Sequence, residues 1–306
     1  MTKSRTALPG QRQQFDRQTE QRALASEPVV PLRLSLSQLT TLRWSVQEEA
    51  AAAAAAGYQS LSLWRTKVAD FGLQKTAHVL EEHGLGVSAL SWAGGFTGSH
   101  GFTYEEALRD ARDALRQAAI LKAETLVIVG GARAGHTSRH ARRLVRDGIL
   151  SLADQAADLK IRLGLLPMHP ALAARWTFLQ STYDTLEFIH DVNHPSVGFV
   201  FDTYHLWQES GLIARIPELA PLVTLVQLGD WSRPPQHEYD RCLPGEGLIP
   251  LDEIVPTFLR AGYQGHYDIH VWSDTLWKRG DAAFVSRCAA FVQNLRRGAS
   301  NAALPA

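Results

Sequence analysis

The feature that most constrains this chain is an alternation repeated eight times: a short apolar run, then a longer stretch of helical period. The apolar runs fall at residues 32–36, 60–64, 87–90, 125–129, 162–166, 197–201, 223–228 and 267–271. Short apolar runs bounded by turn residues read as strands buried on both faces, the pattern of a parallel sheet. The first helical stretch opens Ser45-Val46-Gln47-Glu48, a capping box in which Ser45 and Glu48 satisfy each other's free N–H groups. It continues through alanines 50–56 and stops at Gly57, a good residue for a helix C-terminus. Further helices are expected over 103–121, 138–159, 176–192, 251–261 and 281–297.

Eight strand–helix units in one chain predict an α/β fold, a single (β/α)8 TIM barrel over residues 29–297, close to the usual size of about 250 residues. A doubly wound sheet shares the alternation, but no G-x-G-x-x-G follows the first strand, and Gly130-Gly131 reads as a tight turn. Residues 1–28 are polar without apolar period and read as a flexible arm, and 298–306 as a flexible tail. Lys and Arg total 31 against 31 Asp and Glu, so net charge is zero and nothing marks a nucleic-acid partner or an acidic membrane surface. No apolar run reaches the 18 residues or so that a membrane span needs. Two cysteines, Cys242 and Cys288, are too few for a disulfide framework, and a cytoplasmic location is expected.

Barrel enzymes place their chemistry at the C-terminal ends of the strands. Polar residues there are the candidates: His136 after the fourth run, His169 after the fifth, Asp202 and His205 after the sixth. Gln227, Asp230 and Arg233 follow on the seventh, and Asp268 and His270 on the eighth. Asp202 reads either as a helix N-cap or as a ligand and base. His266, Asp268 and His270 share one face of a buried strand, where polar groups need partners. A guanidinium at Arg233 or Arg241 is suited to clamp an anion, although each alone reads as a solvated arginine. Trp64, Trp92, Trp207, Trp231 and Trp272 rim the expected mouth, where indole faces suit a sugar-like ligand.

From Gly57-Tyr58, through the segment Gly198-Phe199-Val200-Phe201-Asp202-Thr203-Tyr204-His205-Leu206-Trp207, to Leu243-Pro244-Gly245-Glu246-Gly247 and Gly262-Tyr263-Gln264-Gly265, the sequence resembles the sugar phosphate isomerase/epimerase family with a xylose isomerase-like barrel. The resemblance implies a divalent metal (Zn, Mn or Mg) held by Glu, Asp, His or Gln, and Glu from strands five to eight. The two glutamates also move a proton between adjacent carbons of a sugar. Carried onto this sequence, it implies Asp202, Gln227 and His270 as metal ligands and His205, His270 and Asp230 as proton-transfer groups. Trp64, Trp92, His136, His169 and Arg233 are the expected substrate contacts. Both glutamate positions depart from the pattern: Leu166 stands at one and His270 at the other. Two functions follow as expectations. One is a metal-assisted isomerase or epimerase with a rebuilt ligand set, for which a homo-oligomer is an open alternative to a monomer. The other is a metal-free, non-catalytic relative that binds a sugar-like small molecule.

Overall fold

The computed structural model describes residues 32–99, 101–234, 237–279 and 282–302. The chain divides into Met1–Pro31 and Leu32–Ala306. The arm expected over 1–28 lies outside the described residues.

Eight parallel strands close into a barrel in chain order: β1 (Arg33–Ser37), β2 (Ser60–Trp64), β3 (Gly86–Gly94), β4 (Ala123–Val129), β5 (Arg162–Leu165), β6 (Val197–Asp202), β7 (Val223–Leu228) and β8 (His266–Ile269). Twelve α-helices are found among the described residues. After β1 comes α1 (Val46–Ala55), and after β2 come α2 (Arg65–Phe71) and α3 (Leu73–Glu82). The β3 and β4 crossovers are α4 (Tyr104–Ile120) and α5 (Ser138–Asp158). After β5 come α6 (Pro170–Trp176) and α7 (Thr182–Val192), and after β6 come α8 (Thr203–Leu206) and α9 (Leu212–Leu219). A single helix, α10 (Leu251–Arg260), follows β7, while α11 (Asp274–Trp277) and α12 (Ala283–Ala302) follow β8. The expected barrel is the observed fold.

Local sequence accounts for most of these bounds. The Ser45–Glu48 capping box forms in full at the start of α1, and Thr103 with Glu106 builds a second at α4. One expected helix, 176–192, is two. Thr177 takes an extended conformation after α6, and Ser181 starts α7 afresh by accepting from the Asp184 N–H. At the other end, α12 runs to Ala302, beyond the tail boundary expected at 298.

Period-two alternation sorts each strand between two environments. In β1 and β2, Leu34, Leu36, Leu61 and Leu63 join the main apolar core and are buried. Burying each such side chain contributes roughly 1.5–3 kcal/mol. The serines between them turn the other way: Ser35 Oγ meets Ser88 Oγ at 2.6 Å, and Ser60 Oγ meets His266 Nδ1 at 2.9 Å. A second, smaller apolar cluster gathers Ala89, Val127, Val129, Leu166, Met168, Val200 and Leu225. The barrel interior is therefore polar on the β8–β1–β2 side and apolar on the side around β4 and β5.

Candidate active site

Strand register sets the site. Asp202 on β6 pairs with Gln227 on β7, Gln227 with Asp268 on β8, and Asp268 with Ser35 on β1. Four neighbouring strands thus carry a row of polar residues, all of them buried. Buried polar groups require partners, and the partner of Asp202 comes from 39 residues away.

That partner is Arg241. Its Nη1 donates to both Asp202 oxygens, at 3.1 and 2.8 Å, and to the His270 carbonyl at 3.3 Å. Nη2 donates to His205 Nε2 at 3.1 Å. The guanidinium also lies over the Tyr204 ring, 4.3 Å from its centroid. Asp202 caps α8 as well, accepting from the Tyr204 N–H at 2.9 Å. The N-cap and charged readings of Asp202 are both realised. Arg241 is 6% exposed, which corrects the reading of a solvated loop arginine.

Burial, reinforced by the adjacent guanidinium, holds His205 neutral, well below the usual imidazole range. Arg241 Nη2 lies 3.1 Å from Nε2 and the His169 N–H 3.3 Å from Nδ1, and a neutral ring accepts at one of these two nitrogens. Burial and then the Arg241 charge push His270 down to about 3. The Gln227 amide donates to His270 Nδ1 at 3.1 Å, and Ser37 Oγ lies 3.1 Å from the same atom. With Nδ1 accepting, the ring proton belongs on Nε2, which has no hydrogen-bond partner among the described residues. A neutral imidazole N–H of this kind is a hydrogen-bond donor to a carbonyl rather than a strong base.

These groups open on a cavity at the barrel mouth, lined at its polar pole by His205, Gln227, Arg241 and His270. Leu39, Val127, Val129, Leu166 and Met168 form its apolar walls, with Trp92, Trp176 and Trp272. Glu238, from the loop after β7, is the one carboxylate lining it among the described residues. Glu238 Oε1 accepts from Trp176 Nε1 at 2.7 Å and Arg175 Nη1 at 3.2 Å, tying the β7 loop to α6.

Five of the residues expected from sequence, Trp92, His205, Gln227, His270 and Trp272, line this cavity, and Asp202 lies directly behind Arg241. The others lie elsewhere. Asp230 faces its own loop: its carboxylate accepts from the N–H groups of Trp231 at 2.7 Å and of Gly245, Gly247 and Ile249 at 3.0 Å each. A Cβ on Gly247 would stand 2.2 Å from Asp230 Oδ1, so only glycine allows this closure. With its oxygens committed to backbone N–H groups, Asp230 is a loop clamp and not a base at the cavity. His169 caps α6 and lies edge-on to Trp231, and His136 bonds the Thr97 carbonyl at 3.1 Å. Trp64 lines a neighbouring recess with Arg65, and Arg233 is exposed in a third. Sequence reasoning weighed Arg241 as an anion clamp but read it as solvated, and it missed Glu238 and Trp176 as site residues. A signal existed only for Arg241, an arginine two residues before Leu243-Pro244-Gly245.

The donor set does not fit a divalent ion. Leu166 offers no ligand atom, and the Asp202 carboxylate is taken by a guanidinium at 2.8 Å. No cluster of three His, Cys, Asp or Glu side chains suited to a metal occurs among the described residues. A fixed cation is present all the same, and it is an arginine.

Over residues 50–289 the chain matches the xylose isomerase-like TIM barrel family. It belongs to that family. Among curated relatives, the 3-dehydroshikimate dehydratase of Pseudomonas putida is 24% identical over 144 residues, 43% of this chain and 21% of that protein. The ketose 3-epimerase of Arthrobacter globiformis is 27% identical over 115 residues, 37% of this chain and 36% of the epimerase. The chain therefore aligns with well under half the length of either relative. Of solved structures, a Sinorhizobium meliloti protein superposes with a TM-score of 0.77 at 27% identity, covering 85% of this chain and 97% of that one. The IolI protein, solved with a bound zinc atom, gives 0.74 at 17% identity, covering 87% and 99%, which shows a shared fold. No helix among the described residues is long and apolar enough to cross a membrane.

Proposed function

We propose that this barrel is a metal-independent enzyme that moves a proton on a small hydroxy-carbonyl compound. The observation that carries the reading is the Arg241 guanidinium, fixed between Asp202, His205 and the His270 carbonyl at the polar pole of the cavity. Such a group stabilises negative charge developing on an oxygen. His270 Nε2–H serves as the neutral donor to the carbonyl, and Glu238 as the carboxylate that accepts the proton. The similarity to a 3-dehydroshikimate dehydratase and a ketose 3-epimerase supports this class of chemistry.

The test is deuterium exchange. The purified protein is treated with a chelator and incubated in D2O with a panel of ketoses and cyclic hydroxyketones, and exchange beside the carbonyl is followed by NMR. Chelator-insensitive exchange, lost in Arg241→Met and reduced at least about a hundredfold in Glu238→Gln, is expected. Exchange that appears only on adding a divalent ion restores the metal reading. Ligand-induced shifts without exchange favour a non-catalytic binding protein, a reading supported by the hold of Trp176 and Arg175 on Glu238.

A further inference from the structure

We infer that the cavity selects an uncharged, flat-faced ring compound carrying its hydroxyl and carbonyl groups along one edge, in preference to an open-chain sugar or a sugar phosphate. The inference concerns the same cavity and rests on its proposed role as the substrate site.

Charge is the first argument. Among the described residues lining the cavity, the charged side chains are Arg241 and Glu238, and each already has an opposite partner: Asp202 at 2.8 Å and Arg175 at 3.2 Å. A phosphate dianion would lose its hydration to meet a single guanidinium already neutralised by Asp202, too little to balance two charges, and it would face the Glu238 carboxylate.

The second argument is where the polar groups stand. His270 follows β8, and Gln227 lies on the adjacent β7. Diametrically across the closed barrel, β4 presents Val127 and Val129, with Leu166 just past β5 beside them. An open-chain sugar carries a hydroxyl on nearly every carbon. Those turned to the apolar wall would be buried without partners, at about 1–3 kcal/mol each. A ring with one polar edge avoids this. Trp92 and Trp272, with centroids 5.9 Å apart and planes inclined by 33°, supply aromatic faces for its flat body.

The experiment uses three probes with the full-length protein: 2′-hydroxyacetophenone, whose hydroxyl and carbonyl are ortho on one edge, as the neutral ring, D-fructose and D-fructose 6-phosphate. Affinity is measured by calorimetry and by quenching of tryptophan fluorescence. The neutral ring should bind at least about tenfold more tightly than either sugar, as expected for one or more unpaired hydroxyls. Leu166→Gln, which adds a polar group to the apolar wall, should narrow that ratio, and Val129→Thr should do so to a lesser degree if the first variant fails to fold. Tighter binding of the phosphate, or an unchanged ratio in a folded wall variant, overturns the inference. Ring binding without deuterium exchange leaves the inference standing and removes the catalytic reading. Exchange confined to ketoses removes the inference and keeps the enzyme.

Discussion

Asp202 and Asp268 stand two strands apart in a single register row, with Gln227 between them and no solvent reaching either. At Asp202 the loop after β7 delivers a guanidinium that contacts both oxygens. At Asp268 no hydrogen bond reaches either oxygen, although Ser35 and Ser62 lie beside it and His270 Nδ1 is 3.7 Å away. Burial therefore raises the Asp268 pKa to about 7. One carboxyl meets a guanidinium, and at the other burial works against the charged form. The barrel scaffold fixes where the carboxyls sit. The loop after β7 supplies the guanidinium that meets Asp202 and sends no such partner to Asp268.

The comparison breaks most forcefully at Arg241. Arg241→Met leaves Asp202 buried without its counter-charge, which should destabilise the protein by about 3–5 kcal/mol in denaturant titration. Adding Asp202→Asn should recover much of that loss, because the unpaired charge goes with it. A single-variant loss under about 1 kcal/mol would mean that water, rather than Arg241, satisfies Asp202.

Asp268 gives the next largest effect, and its sign is opposite to that of a paired aspartate. Its folded pKa lies above the unfolded value of about 4, so between the two the folded chain holds a proton the unfolded chain has released. Its contribution is full below pH 4 and is lost as pH rises through 7. Asp268→Asn should remove this slope and stabilise the protein at pH 8, by at most about 4 kcal/mol for a shift of roughly three pKa units. Parallel pH–stability curves for variant and parent would show that Asp268 has a partner after all.

Much of the fold can be read in the sequence, because eight apolar runs and two capping boxes are local signals that tertiary packing reinforces. The strand ends predicted from period alone place Asp202, Gln227 and His270 at the mouth, where they are found. The failures lie in the loops. Asp230 follows a barrel strand as a catalytic residue would, yet Leu243-Pro244-Gly245-Glu246-Gly247 folds back and offers its N–H groups to that carboxylate. The same fold-back helps carry Arg241 inward, joined by the Asp230–Cys242 backbone pair at 3.1 Å. No period or spacing encodes which of two loop arginines, 233 or 241, turns into the barrel. That choice is made by a backbone course of some twenty residues and by the prior presence of a buried carboxylate to receive it.

The finest test of the comparison restores what the family pattern has and this chain lacks. Leu166 is 9% exposed on the cavity wall, so Leu166→Glu should cost no more than about 2 kcal/mol, the new carboxylate lying close to the mouth and near a guanidinium. Alone it should not confer zinc binding that survives dialysis, because Arg241 still occupies both Asp202 oxygens. Combined with Arg241→Met it should, since Asp202, His270 and the new glutamate then stand free to act as ligands. Elemental analysis near one zinc per chain in the double variant, with a zinc-dependent rise in melting temperature, is the expected result. Retained zinc in Leu166→Glu alone would show that the glutamate, not the arginine, was the missing determinant. The tethered cation would then be a consequence of the lost ligand rather than its replacement.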